Sequence, residues 1–95
     1  METLTDDQLT ERLTGELSAW TPAAEGIVRD LKVGDFVAAI AIVNAVAAVA
    51  EDANHHPDIL VHGWNRVRLT LSTHSAGGVT EADVALAGRI EALLR

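Results

Sequence analysis

The sequence predicts an α+β domain of order αββαββα, a four-stranded antiparallel sheet with three helices on one face. Helix starts recur with matching caps, at Thr5, Asp35 and Thr80. Between them, residues alternate apolar and polar with the period of two that a half-buried strand requires. The strands come in pairs joined by short turns, with no helical crossover of the kind a parallel sheet needs.

Thr5 reads as an N-cap, with Gln8 its capping-box partner and Asp6 and Asp7 placed to suit the helix dipole. Leu4, Leu9, Leu13 and Leu17 form an apolar stripe at helical spacing and predict a first helix ending near Ser18. Trp20-Thr21-Pro22 reads as extended, because the residue before proline is pushed toward β. Ala23 to Gly26 turns the chain, and Ile27, Arg29, Leu31 and Val33 alternate with Val28, Asp30 and Lys32 as a strand. Asp35 caps a second helix from Phe36 to about Asp52, with Phe36, Ile40, Val43 and Ala47 on one side and Val37, Ala41 and Ala48 on another. A helix apolar all round is buried on more than one face. In one small domain, one face covers the sheet and the other is expected to meet a neighbour, which predicts self-association. Asn54 tolerates the left-handed conformation that ends a helix, and Pro57 prevents resumption.

Ile59 to His62 reads as a short strand and Gly63 to Asn65 as a turn. Arg66 to Thr73 is the clearest strand of all: Val67, Leu69 and Leu71 face one way, and Arg66, Arg68, Thr70, Ser72 and His74 have the opposite parity. Ser75 to Gly78 is a small-residue loop. Thr80 and Asp83 then cap a last helix carrying Val84, Leu86, Ala87, Ile90, Leu93 and Leu94. Residues 1–95 read as a single domain.

The formal charge of −7 argues against a nucleic-acid or anionic-membrane surface, since either needs a basic stripe, and only Arg66 and Arg68 share a face. The chain has no cysteine, hence no disulfide framework and no thiolate metal site. Its first residues are acidic and lack the order of a signal peptide. The apolar run Phe36 to Ala50, interrupted by Asn44, reads as too short to span a bilayer. A cytoplasmic protein is expected.

Three of the four histidines invite a functional reading. His55 and His56 are adjacent at a helix end, and His74 closes a strand. Imidazole titrates near neutrality, so histidines gathered in one cleft suit proton transfer. Each residue also has a plain structural reading. The His pair can simply sit at the negative end of a helix dipole, Asp83 can be a capping acid, Trp64 core, and Glu51 a solvated helix residue. His55, His56, His74 and Glu51 could on paper ligate a metal, but adjacent histidines rarely point at one ion and no His-x-x-x-His pair is present. No metal and no other cofactor is expected.

Taken together, Glu51-x3-His55-His56-Pro57, Trp64, His74 and Asp83 resemble the signature of the pterin-4a-carbinolamine dehydratases. Trp20, Asp35-Phe36, Val67-Arg-Leu-Thr-Leu-Ser-Thr-His74 and Gly78-Val-Thr-Glu-Ala-Asp83 also match that family, so the likeness covers nearly the whole chain. Three departures bear on pocket shape and turnover rather than on fold. The segment between Pro57 and Trp64 is one residue longer, Asn54 stands where an Asp often precedes the histidines, and Leu31 and Val33 replace a common Phe.

The resemblance implies dehydration of 4a-hydroxytetrahydropterin to quinonoid dihydropterin, without redox cofactor or metal. It implies catalytic roles for His55, His56, His74 and Asp83, gathered at the rim of a common hollow sized for a flat bicyclic ring. Glu51, Asn54, Pro57, Trp64, Thr73, Ser75 and Ala76 would contact the pterin. A homodimer or homotetramer is implied as well. The same family includes binding modules, among them a dimerisation partner of a transcription factor and assembly proteins of a carbon-fixing enzyme, so a non-catalytic scaffold is the competing expectation.

Overall fold

The computed structural model describes all 95 residues. Its elements are α1 (Asp6–Arg12), β1 (Thr21–Ala23), β2 (Gly26–Lys32), α2 (Phe36–Ala53), β3 (Asp58–His62), β4 (Arg66–Leu71) and α3 (Glu81–Leu94), with single 3₁₀ turns at Gly15–Leu17 and His74–Ala76. The expected α+β order is present, and every strand pairing is antiparallel. The sheet runs β1-β2-β4-β3, so the two hairpins join through their second strands.

Local chemistry sets most boundaries. The Thr5 hydroxyl accepts from the Gln8 N–H while the Gln8 side chain accepts from the Thr5 N–H, closing a capping box on α1. Asp35 caps α2 through the Ala38 N–H. Asn54 adopts the left-handed conformation, at φ 51°, that stops α2. Two boundaries differ from the sequence reading by more than one residue. The first helix ends at Arg12 rather than near Ser18, because Leu13 leaves helical geometry and Thr14 is extended at ψ 170°, after which the chain re-forms only as a 3₁₀ turn. Leu13 and Leu17 still pack on the core, so the apolar stripe reports burial and not an unbroken helix. The last strand ends at Leu71 rather than Thr73, because its ladder with β2 stops at the Ile27–Leu71 pair. Thr73 instead bridges to Gly78 across the loop.

Register places Ile27, Arg29 and Leu31 opposite Leu71, Leu69 and Val67, and Ile59 and Val61 complete the same face. The core lies between this face and the helices, centred on Trp20, Ile27, Val46, Leu69, Leu71, Leu86 and Ile90. Arg29 is the one charge on that face. Its Nε donates to Glu91 of α3 at 2.7 Å, and the Trp20 indole N–H donates to the same carboxylate oxygen at 2.9 Å. Glu91 is only 8% exposed, so its charge is carried by these two donors in place of water.

The central helix buries only Ala39, Val46 and Ala50 and leaves Phe36 and Val37 exposed at 53% and 78%. Its 18 residues are long and apolar enough to cross a membrane, which corrects the reading of this run as too short. Within the chain it packs on α3, β3 and β4.

Replacing Glu91 with Ala leaves the Arg29 guanidinium without its carboxylate in a largely buried position. The variant is expected to lose about 3 kcal/mol or more of stability, read as a lower midpoint at unchanged slope in urea unfolding. A loss below ~1 kcal/mol would mean that water replaces the carboxylate at little cost.

Candidate active site

The end of α2 delivers the first histidine. The Asn54 N–H bonds back to the helix, and the His55 N–H does the same at Ala50 O, 3.1 Å away, so the His55 ring leaves directly from the helix terminus. Its Nε2 lies 2.5 Å from Asp83 Oδ1. Asp83 sits in the first turn of α3 and is fully buried. Its other oxygen accepts from the Thr80 N–H at 2.9 Å and from the Thr73 hydroxyl at 2.8 Å.

The directions of these bonds follow from the donors available. An ionised carboxylate only accepts, so Thr73 spends its single proton on Asp83. The Thr80 hydroxyl, 2.8 Å from Thr73 Oγ1, then donates to Thr73 while accepting from the Ala82 N–H. The result is a one-way chain, Thr80 to Thr73 to Asp83, with His55 Nε2–H donating from the other side. That orientation leaves Nδ1 as the ring nitrogen able to hold a lone pair.

Asp83 therefore caps α3 through one oxygen and meets the His55 ring through the other. Thr73, expected only as a pterin contact, is also part of the buried network. Thr80 joins it too, and its only sequence signal was its position as an N-cap. Glu51 and His56 form a separate pair at 2.7 Å on the exposed surface. His74 directly follows Thr73 and opens the 3₁₀ turn that contains Ser75 and Ala76, with His74 and Ser75 exposed. Asn54 is exposed and Pro57 half-buried beside the His pair.

Trp64 lies apart from this group. It occupies the β3–β4 turn at φ 59° and is 62% exposed, so it is not core either. All of β4 separates it from Thr73, a distance on the order of 20 Å at ~3.3 Å per strand residue. Four surface hollows exist: one on the open sheet face, two along α2, and one between the amino-terminal segment and the Gly77–Gly78 loop. None is lined by His55, His56 or His74, so the common hollow expected at the rim of these histidines is not among them. No group of three or more His, Asp and Glu side chains converges as a metal cage.

The family model described as pterin 4 alpha carbinolamine dehydratase matches residues 2–93. The chain belongs to that family. A relative from Acidobacterium capsulatum, provisionally assigned as a pterin-4-alpha-carbinolamine dehydratase, is 54% identical over 94 residues, covering 99% of this chain and all of its own. One from Nocardia farcinica with the same provisional assignment is 47% identical, covering 99% and 97%. Among solved structures, a transcriptional coactivator/pterin dehydratase from Brucella melitensis superposes with a TM-score of 0.87 at 36% identity, covering 97% of this chain and 98% of that one. A pterin dehydratase-like protein identified as a RuBisCO assembly factor in the alpha-carboxysome gives a TM-score of 0.65 at 27% identity, covering 83% and 93%. The chain is thus similar both to proteins described as dehydratases and to one described as an assembly factor.

The two carboxylate–histidine pairs differ in burial, and so in what their loss costs. Asp83→Ala strips an acceptor from Thr80 N–H, Thr73 O–H and His55 at once and is expected to cost about 2–4 kcal/mol. Glu51→Ala removes an exposed pair and is expected to cost under ~1 kcal/mol. Equal losses in chemical denaturation would show that the Asp83 network adds no more stability than a surface contact.

Proposed function

We propose that this chain is a hydro-lyase that dehydrates 4a-hydroxytetrahydropterin to quinonoid dihydropterin, the recycling step after aromatic amino acid hydroxylation. The observation that carries this reading is the buried Asp83 carboxylate against His55 Nε2, in a chain belonging to the dehydratase family. A carboxylate out of water that fixes one ring nitrogen of a histidine presets the tautomer of an acid–base catalyst.

The reaction removes the N5 proton and the C4a hydroxyl, forming the C4a=N5 bond and one water. One group must take the ring proton and another must protonate the departing hydroxide. In this reading His55, held through Nε2 and using Nδ1, takes one of these roles, and His74 takes the other. His56, anchored by Glu51, binds or orients the pterin. Pro57, Asn54 and the 3₁₀ turn of Ser75 and Ala76 border the ring. Trp64 would contact a pterin only at a site shared with another copy of the chain.

Self-association is part of the proposal. The exposed side of α2, with Phe36, Val37, Ile40 and Ala41 beside Asn44 around a hollow of about 340 Å³, is the apolar surface on which a second copy would dock. The same face favours a second reading, a scaffold that binds a protein and has no turnover. The two separate cleanly. In stopped-flow with freshly formed 4a-carbinolamine, the enzyme reading expects acceleration over the spontaneous rate. Each single change, His55→Ala or His74→Ala, should then lower that acceleration by roughly 10²–10⁴-fold with the fold intact. A wild-type chain that leaves the spontaneous rate unchanged would leave only the scaffold. In sedimentation velocity, Val37→Asp should convert an oligomer to monomer; a wild-type monomer at high concentration would refute the self-association.

A further inference from the structure

The open face of the sheet, turned away from the helices, carries a charge pattern that the dehydratase reading does not use. Cross-strand register sets Lys32 of β2, Arg66 of β4 and His62 of β3 side by side, and the next row inward holds Asp30, Arg68 and Leu60. Five of these six (all but Leu60) line a single hollow of about 330 Å³. Arg68 is spoken for: its Nε and Nη2 donate to the two oxygens of Asp30 at 2.8 and 3.2 Å. That hydrogen bonding holds the Asp30 carboxyl below its usual range against the opposing effect of burial, and the charges of Arg68, His62 and Arg29 add to it.

Lys32 and Arg66 have no such partner. The chain has seven basic residues. Arg12, Arg29, Arg68, Arg89 and Arg95 each form an ion pair with a carboxylate, and the two that do not are direct neighbours in the sheet. Like charges directly opposite on one face destabilise a strand pair. In a protein of net charge −7, carboxylates are plentiful, yet none comes to this row. A repulsive pair without a counter-charge, set in a concavity with a histidine on its flank, is the layout of an anion site whose occupant supplies the missing charge.

We propose that this hollow binds the phosphoryl group of a small phosphorylated molecule, held by Lys32 and Arg66 with His62 at its side. Lys32, Arg66 and Arg68 against the one carboxylate of Asp30 leave an excess of two positive charges, which matches a dianionic phosphate monoester better than a single carboxylate. The guanidinium of Arg66 offers two parallel N–H donors suited to phosphate oxygens, and the Lys32 ammonium adds a point charge. The site is separate from the histidine group, on the opposite face of the sheet from α2 and α3.

The test uses the full chain and inorganic phosphate, followed by amide chemical shifts at constant ionic strength, with acetate and chloride as comparison anions. Saturable shifts are expected at residues 30–32, 62 and 66–68 with phosphate, and affinity for acetate at least roughly tenfold weaker. Lys32→Glu places a carboxylate beside Arg66. It should abolish the phosphate response and raise the thermal midpoint of the ligand-free chain, because repulsion becomes attraction. Phosphate should raise the midpoint of the wild type but not of this variant. Shifts that chloride or acetate reproduce at equal concentration would overturn the assignment, as would phosphate binding that survives Lys32→Glu.

Discussion

A carboxylate removed from water must be repaid with donors, and Asp83 is where this fold meets that demand. Withdrawing such a charge costs several kcal/mol unless its lone pairs are filled. The donors come from three places: the Thr80 N–H at the start of α3, the Thr73 hydroxyl beyond β4, and the His55 ring beyond α2. One side chain therefore starts a helix, anchors the exit of a strand and fixes the direction of an imidazole. The candidate site is a by-product of how three elements end.

The same helix carries a second buried carboxylate eight residues on, Glu91, which gathers Arg29 from the sheet and Trp20 from the segment before β1. Between the two lie Leu86, Ala87 and Ile90, packed on the core. Thus α3 is joined to the rest of the chain by apolar packing, which is non-directional, and by two polar anchors, which are not. Apolar burial supplies most of the stability of such a domain. The anchors fix how the helix sits in rotation and height, and the geometry around His55 depends on that. By contrast α2 relies on small apolar residues, buries little, and leaves much of its surface uncovered.

What the sequence made legible was what is local. Caps at Thr5, Asp35 and Thr80, the left-handed stop at Asn54 and the parity of β4 each involve residues a few positions apart. The overlong first helix shows the limit of periodicity: Leu13 and Leu17 are at helical spacing and do pack on the core, yet the helix has ended before Leu13 and the chain is extended at Thr14. Arg29 fell on the apolar parity of its strand, a visible sign of a buried charge, but its partner lies 62 residues away and no period points to it. His55 and Asp83 are 28 residues apart, and only the resemblance to a family joined them before the fold did. Trp64 shows the converse, since a residue at a fixed place in a sequence pattern need not lie near the others in space.

The pairing of Asp83 with His55 Nε2 can be observed without substrate, by proton NMR of the imidazole N–H resonances. A downfield, slowly exchanging ring proton assigned to His55 Nε2 is expected in the wild type, retained in Glu51→Ala and lost in Asp83→Asn or Asp83→Ala. A His55 ring whose protons all exchange at the solvent rate in the wild type would contradict it.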